Sequence, residues 1–483
     1  MEDNKPNKIS IKKSDDFSQW YIQAIIKSEF MDYTSVSGAF ALRPDSYFIW
    51  EAVQKATDEL FKNEGILNVY FPLLIPEKLL EKEKEHIEGF SPEVAWVTET
   101  GNSKLDERLA IRPTSETIMY DSFSKWIRSW RDLPLRYNQW NNVIRWEFRH
   151  PTPFLRTREF LWNEGHTVFA TKEEAEGERD AILGIYQKIL EEYFALYGVA
   201  GKKTDSEKFA GAEATYSIEH LMPDGSAIQG PDFHSDGQRF AVAFDIKFLN
   251  KDGKQSYAYQ NTFAISTREI GVMLATHGDD RGLVVPPKLS RIQCVIIPIY
   301  NDESKVHVIE EAKILYKKIK GRMRVHLDDR DSYSPGWKFN EWELRGVPLR
   351  IEIGPKDIQK KSVVAVRRDN GEKFTIKVAD IIEKTEELLK AIQENLYKKS
   401  KNFVDSNTHE VKTYQQIKDV LTKKGGFVQI PWCGSKDCEA KVKRDTAAKA
   451  TNMPLDVQDK AKGKSCAICG SSAKFIVNFA KSY

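Results

Sequence analysis

Between residues 141 and 169 the chain reads as a strand, an irregular loop around HPTPFLRT and a returning strand, and no other feature constrains the fold as much. Strands joined by so short a loop pair antiparallel, because a parallel return needs a crossover of a dozen or more residues. On the returning strand Trp162, Glu164 and His166 alternate onto one face and line one side of a pocket. On the outgoing strand Arg145 and Glu147 share a face, while Arg156 and Arg158 sit on the loop, placed to fold over a triphosphate. A solvated, salt-bridged hairpin accounts for the arginines taken alone. The aromatic residues interleaved with them, among them Trp146, Phe154, Phe160 and Trp162, favour the pocket.

The same pattern extends to either side. Asp45 is placed to cap a helix carrying Phe48, Ile49, Val53, Leu60 and Phe61 that stops near Gly65, and ILNVYFPLLIP follows as a strand. Ser115 opens a helix through SETIMYDSFSKWIRSW, and the outgoing strand of the hairpin spans 141–148. Thr171 and Glu174 form a capping box for a helix reaching Tyr197. FAVAFDIKF and YAYQNTFAIS add further strands, so the chain up to about Leu289 is an antiparallel α+β domain. After VPPKLS, strands over 295–299, 323–327 and LRIEIG alternate with helices over 302–320 and WKFNEWEL, an α/β domain with a largely parallel sheet. A Glu- and Lys-rich helix over about 378–399 leads out of it. At 483 residues and 55.5 kDa the chain exceeds one hydrophobic core. The expected division is a polar leader over 1–18 and domains over 19–289, 290–398 and 399–483.

No apolar run is long enough to span a membrane, and the start MEDNKPNKISIKKSDDFS lacks the apolar core of a secretory signal, so a cytoplasmic chain with no membrane partner is expected. Four of the five cysteines, Cys433, Cys438, Cys466 and Cys469, form C-x4-C and C-x2-C pairs in turn-rich contexts. Without a secretory signal that spacing favours a tetrahedral zinc over disulfides, and four thiolates make the metal structural. Cys294, in QCVIIPIY, is a buried strand residue. Residues 391–483 hold 17 Lys+Arg against 9 Asp+Glu, leaving 56 against 62 for residues 1–390. That asymmetry fits a polyanionic partner at the C-terminal end, and equally a solvated lysine-rich surface.

Neither a G-x-x-x-x-G-K-[ST] phosphate loop nor a G-x-G-x-x-G turn opening a helix is present, so a nucleotide must be held by side chains, and arginine's planar fork suits phosphate. In AIRPTSE, Thr114 and Glu116 either hold an ammonium or cap the helix that follows; for Ser115 and Glu116 alone capping is the simpler reading. Arg268, before the apolar run IGVMLA, needs an anionic partner, which a substrate or a salt bridge supplies.

GILNVYFP, RWE with the loop arginines, and STREIGVMLATHGDDRG resemble motifs 1, 2 and 3 of class II aminoacyl-tRNA synthetases. RPTSE, FLRTREFLWNEGH, EKFAG and SYSPGWKFNEWELRGVPLRIEIGP resemble, more narrowly, prolyl-tRNA synthetases of the archaeal and eukaryotic kind, over about residues 17–483. The resemblance implies a class II catalytic domain, an anticodon-binding α/β domain and a small zinc-binding α/β C-terminal domain, with ATP, L-proline and tRNA(Pro) as partners and a homodimer. It implies that Thr114 and Glu116 hold the prolyl nitrogen, that Arg145 bridges the proline carboxylate and the ATP α-phosphate, and that Trp162, His166, Phe209 and His234 enclose the ring beside Glu164. It implies too that Glu147, Arg156, Thr157, Gln229, Asp232, Ser266 and Arg268 bind ATP with Mg²⁺ on its phosphates, and that Arg145, Arg156 and Arg268 stabilise the reacting charge.

Two positions depart from that family's pattern. QGPDFH stands where the family has Q-x-G-T-S-H, so Asp232 replaces a threonine, and Ser266 replaces another. A carboxylate near phosphate is repulsive unless it faces the adenosine hydroxyls or Mg²⁺. Only about a hundred residues separate His166 from Arg268, too few for an inserted editing domain. Lys338, Glu341 and Arg350 are candidates for reading the anticodon, or are solvated helix charges.

Overall fold

The computed structural model describes residues 8–86 and 93–483. Residues 1–7 of the expected leader lie outside the described residues, and the part that follows is docked. Lys13 Nζ donates to Gly278 O at 2.7 Å and its backbone N–H donates to Asp280 Oδ1 at 2.8 Å.

One eleven-stranded sheet dominates. From one edge it runs Leu67–Asn68, Leu135–Ile144, Glu159–Phe169, Tyr259–Ala264, Ala227–Gly237, Ala214–Leu221 and Val199–Lys202, then Lys449–Pro454, Phe475–Ala480, Phe427–Trp432 and Thr408–Glu410. Its hairpin pairs in antiparallel register from Leu135↔Val168 to Ile144↔Glu159. Helices Pro44–Asn63, Lys172–Ile189 and Arg268–His277 cover one face over Ile49, Trp50, Phe61, Tyr186, Phe263 and Met273. Alternation along Glu159–Phe169 turns Asn163 and Thr167 to that side, where Asn163 accepts from the Tyr186 hydroxyl at 3.1 Å, and turns His166 to the other, where it meets Tyr120. There, helices Glu116–Trp126 and Arg239–Phe244 pack Met119, Tyr120, Phe123, Phe240 and Phe244.

Several local expectations are corrected. The N-cap of Pro44–Asn63 is Arg43, without a side-chain cap bond, and Asp45 instead accepts from Arg291. ILNVYFPLLIP is two short strands in different sheets, because Pro72 cannot continue a ladder. The outgoing strand ends at Ile144, so Arg145 and Glu147 lie beyond it and share no strand face. Within FAVAFDIKF the segment Arg239–Phe244 is a helix, since Phe240, Ala243 and Phe244 fall at helical spacing and are buried while Val242 is 53% exposed. The capping box at Thr171 and Glu174 is present, with both bonds at 3.2 Å, but the α-helix stops at Ile189 and a wider turn, Leu190–Phe194, follows.

The α/β domain has the sheet order Val325–Leu327, Cys294–Pro298, Leu349–Ile353, Ser362–Arg367, Lys373–Lys377. The first three strands are parallel and the last two antiparallel, a more mixed sheet than the alternating pattern predicts. Arg368 fastens it to the large sheet's domain by a fork onto Asp279, at 2.7 and 2.6 Å. The exit helix, Ile381–Ser406, leads to the cysteine module, whose strands continue the large sheet: Met453 pairs with Lys202 and Pro454 with Gly201.

Candidate active site

A cavity of about 300 Å³ lies on the Tyr120 face of the large sheet. Strand Glu159–Phe169 contributes Trp162, Glu164 and His166; the start of helix Glu116–Trp126 contributes Thr114 and Glu116; strand Ala227–Gly237 contributes Gln229, Asp232 and His234. Arg145 and Phe209 also line it, as do Glu207, Thr215 and Thr262. All eight residues expected around proline therefore line one cavity, and Gln229 and Asp232 of the ATP set join them.

Glu164 organises this end. Its buried carboxylate accepts from Thr114 Oγ1 at 2.9 Å, Ser115 N–H at 2.7 Å, Ser115 Oγ at 2.6 Å and Asn141 Nδ2 at 2.7 Å. Burial pushes this carboxyl up, but the His166 ring and the bonds from Ser115 and Asn141 outweigh it and hold it at about 2. Because Thr114 donates its hydroxyl proton to Glu164, its oxygen is left as an acceptor towards the cavity. Ser115 makes no side-chain cap bond, so the capping reading is corrected: its hydroxyl serves Glu164 instead. Asn141 also accepts from Trp162 Nε1 at 2.7 Å, fixing the indole, over which the Arg145 guanidinium sits at 4.9 Å. Arg145 is anchored by its Nε donating to Pro113 O at 2.9 Å.

Phe209 and His234 pack with ring centroids 5.0 Å apart, and His234 Nδ1 meets Thr215 Oγ1 at 2.9 Å. Burial lowers the His234 pKa, with Asp232 opposing, so the ring is neutral at pH 7. Asp232 accepts from Gln229 Nε2 at 2.8 Å. The remaining ATP candidates stand around the cavity without lining it. Arg268 donates from Nη1 to Gln229 O at 3.1 Å, Ser266 bridges Trp162 across the sheet, Thr157 is buried, Arg156 lies 5.5 Å over the Tyr483 ring, and Glu147 is exposed. Sequence reasoning missed Ser115, Asn141 and Thr215 as organisers of the site. The run NQWNN was the available signal, since amides are depleted in strands unless they have bonds to make there.

The anticodon candidates are committed within their own domain. Lys338 is buried and donates to Asp328 O at 3.0 Å; Glu341 accepts from Arg330; Arg350 is paired with Glu343 at 2.8 Å and Glu352 at 2.9 Å.

The four C-terminal cysteines converge. Their Sγ atoms lie within 4.8 Å of one another, and Cys433 is 3.7 Å from both Cys438 and Cys469. A tetrahedron with Zn–S near 2.3 Å has edges of about 3.8 Å, so the cluster fits zinc. Among the described residues no other His/Cys/Asp/Glu group of that kind occurs, and no helix is long and apolar enough to cross a membrane.

The fold is that of a class II aminoacyl-tRNA synthetase: residues 96–277 match the tRNA synthetase class II core domain (G, H, P, S and T), and 293–388 match an anticodon binding domain. Residues 414–483 match the C-terminal domain of prolyl-tRNA synthetases. A proline–tRNA ligase of Alkaliphilus oremlandii is 48% identical over 97% of this chain and 96% of its own, and a proline–tRNA ligase 2 of Bacillus cereus is 47% identical over 98% of each. The crystal structure of prolyl-tRNA synthetase from Cryptosporidium parvum complexed with halofuginone and AMPPNP superposes with a TM-score of 0.93 at 45% identity, covering 99% of both chains. The chain belongs to the prolyl-tRNA synthetase family.

Proposed function

We propose that the cavity activates L-proline as prolyl-adenylate and passes the prolyl group to tRNA(Pro), the proline–tRNA ligase reaction. The observation that carries the assignment of roles is one cavity in which Arg145, the four carboxylates of Glu116, Glu164, Glu207 and Asp232 and the rings of Trp162, His166, Phe209 and His234 converge. The prolyl NH₂⁺ donates to Thr114 Oγ1 and the Glu116 carboxylate, and the rings enclose the pyrrolidine. Glu164, with its lone pairs taken by protein donors, positions Thr114, Ser115 and Asn141 rather than touching substrate.

Arg145 bridges the proline carboxylate and the ATP α-phosphate. A carboxylate oxygen attacks the α-phosphorus, the bond to the β-phosphate oxygen breaks, and pyrophosphate leaves. The tRNA 3′-terminal hydroxyl then attacks the acyl carbon and AMP leaves with the electron pair. Neither step needs covalent help from the protein, so alignment and charge stabilisation by Arg145, Arg156 and Arg268 carry the rate. Glu147, Thr157, Gln229, Asp232 and Ser266 complete the ATP site. Mg²⁺ bound with ATP neutralises further phosphate charge, and Cys433, Cys438, Cys466 and Cys469 hold a structural zinc.

We further assign boundaries at 19–289, 290–398 and 399–483, cytoplasmic location and a homodimer, the last supported by the class II architecture and checked by light scattering for twice the 55.5 kDa chain mass. The test of the reaction is ATP–pyrophosphate exchange across the twenty amino acids. Proline is expected to be best. Alanine is expected to be weakly active, because an apolar pocket gains only about 1–3 kcal/mol per methylene and rejects an underfilling ligand poorly. The stretch between His166 and Arg268 is occupied by strands and helices of the same domain, with no inserted domain to hydrolyse the mischarged product. Preferred activation of threonine, serine, glycine or histidine overturns the assignment.

A further inference from the structure

Behind the ATP side of the cavity lies a buried ion pair to which the proposed reaction assigns nothing. His220 Nε2 and Glu269 Oε2 are 2.9 Å apart, with side chains 2% and 1% exposed. His220 is on strand Ala214–Leu221, and Glu269 is the second residue of helix Arg268–His277. Between them passes the bulged stretch of strand Ala227–Gly237, where the pairing register slips between Glu219↔Gln229 and Ser217↔Asp232. At Gly230 an added Cβ would lie 2.7 Å from His220 Nε2 and 2.9 Å from Glu269 Oε1, so the pair fills the space beneath the bulge and only glycine fits above it. One residue earlier, Gln229 O accepts the Arg268 guanidinium at 3.1 Å.

We infer that His220 and Glu269 are a positioning pair that keeps Arg268 directed at ATP. This rests on the assignment of Arg268 to ATP above. A buried carboxylate left unpaired draws a nearby cation, and the guanidinium of its chain neighbour Arg268 feels the Glu269 charge. His220 occupies the carboxylate, so Arg268 stays on the Gln229 carbonyl. The other ring nitrogen of His220 faces Tyr197 O at 3.4 Å, while Nε2 and Glu269 Oε2 face each other by charge and not by an aligned hydrogen bond, each being buried without a hydrogen-bond partner. The charged groups around it are Glu269, Glu219, itself paired with Lys203 at 2.6 Å, and Arg268. Burial lowers the ring's pKa, but Glu269 and the Tyr197 carbonyl outweigh it and raise it above 6.5.

The test measures KM for ATP and for proline separately, in exchange assays on the full chain. His220→Gln should raise KM for ATP about tenfold and leave KM for proline within about twofold. Adding Glu269→Gln removes the capturing charge and should restore most of the loss, a sign reversal that a merely structural role does not produce. Equal rises in both KM values, or no recovery in the double variant, overturn the inference. If His220→Gln does not fold, the unsubstituted protein and Glu269→Gln are compared between pH 7 and 9. KM for ATP should rise with pH in the first as the ring loses its proton and be flatter in the second, and identical profiles overturn it. Arg268→Ala serves as the reference. If it leaves KM for ATP unchanged, the reading of the ATP site fails; if it raises KM and His220→Gln does not, only the pair's role fails.

Discussion

Glu164 shows how a single residue's role depends on which of its lone pairs the protein has already taken. Its four donors come from Thr114, Ser115 and Asn141, so its negative charge is spent on shaping the amino-acid end of the cavity. A carboxyl at about 2 in the folded chain and near 4.3 when unfolded stabilises the fold fully above the unfolded value, and that contribution is lost as pH falls through the folded one. The stability difference between the native chain and Glu164→Gln, read from urea unfolding, should therefore narrow by up to about 3 kcal/mol between pH 6 and pH 2; a difference independent of pH would remove this role. Arg145, over the Trp162 ring and held by Pro113 O, is the cation we propose to meet both reactants. Arg145→Ala should cut ATP–pyrophosphate exchange by about 10²–10³-fold or more while shifting the thermal midpoint little, and near-normal exchange would place the active site elsewhere.

At the scale of elements, strongly patterned segments were legible and ambiguous ones were not. The returning strand over 159–169 is found where the sequence puts it, because alternation of pocket-facing Trp162, Glu164 and His166 with inward Asn163 and Thr167 admits one register. FAVAF satisfies both a two-residue and a 3.6-residue period over so short a run, and only the need to bury Phe240 and Phe244 against Tyr120 selects the helix. The cysteine pairs were legible because metal geometry leaves few alternatives. Cys466→Ser with Cys469→Ser should release about one zinc per chain by elemental analysis while the aromatic circular dichroism of the large sheet's domain persists, and protein prepared without chelators that holds no zinc contradicts the site.

At the scale of the whole molecule, the C-terminal module shares a sheet with the active site. Strand Lys449–Pro454 pairs with Val199–Lys202, and Asn452 Nδ2 donates to Val199 O at 2.7 Å. Gly201 permits that approach, since an added Cβ would lie 2.5 Å from Asn452 Cγ and 2.7 Å from Met453 O. Gly201→Ala should loosen the seam, seen as faster amide exchange in residues 199–202 and 449–454 and as reduced exchange activity, while zinc content stays the same; unchanged protection at the seam would show that the two modules are held elsewhere.

The sequence by itself determined, through the resemblance of its motifs, the family, and it supplied the arginines and paired cysteines on which the proposed carboxylate, phosphate and metal sites rest. It determined these because arginines, paired cysteines and alternating strands have few physical uses. Tertiary structure alone decided that Ser115 serves Glu164 and not the helix end, that Arg145 leaves the strand, that Lys338, Glu341 and Arg350 are tied up in internal pairs, and that the cysteine module extends the large sheet. Those outcomes depend on which groups distant in the chain arrive within hydrogen-bonding distance, and no local period or spacing encodes that.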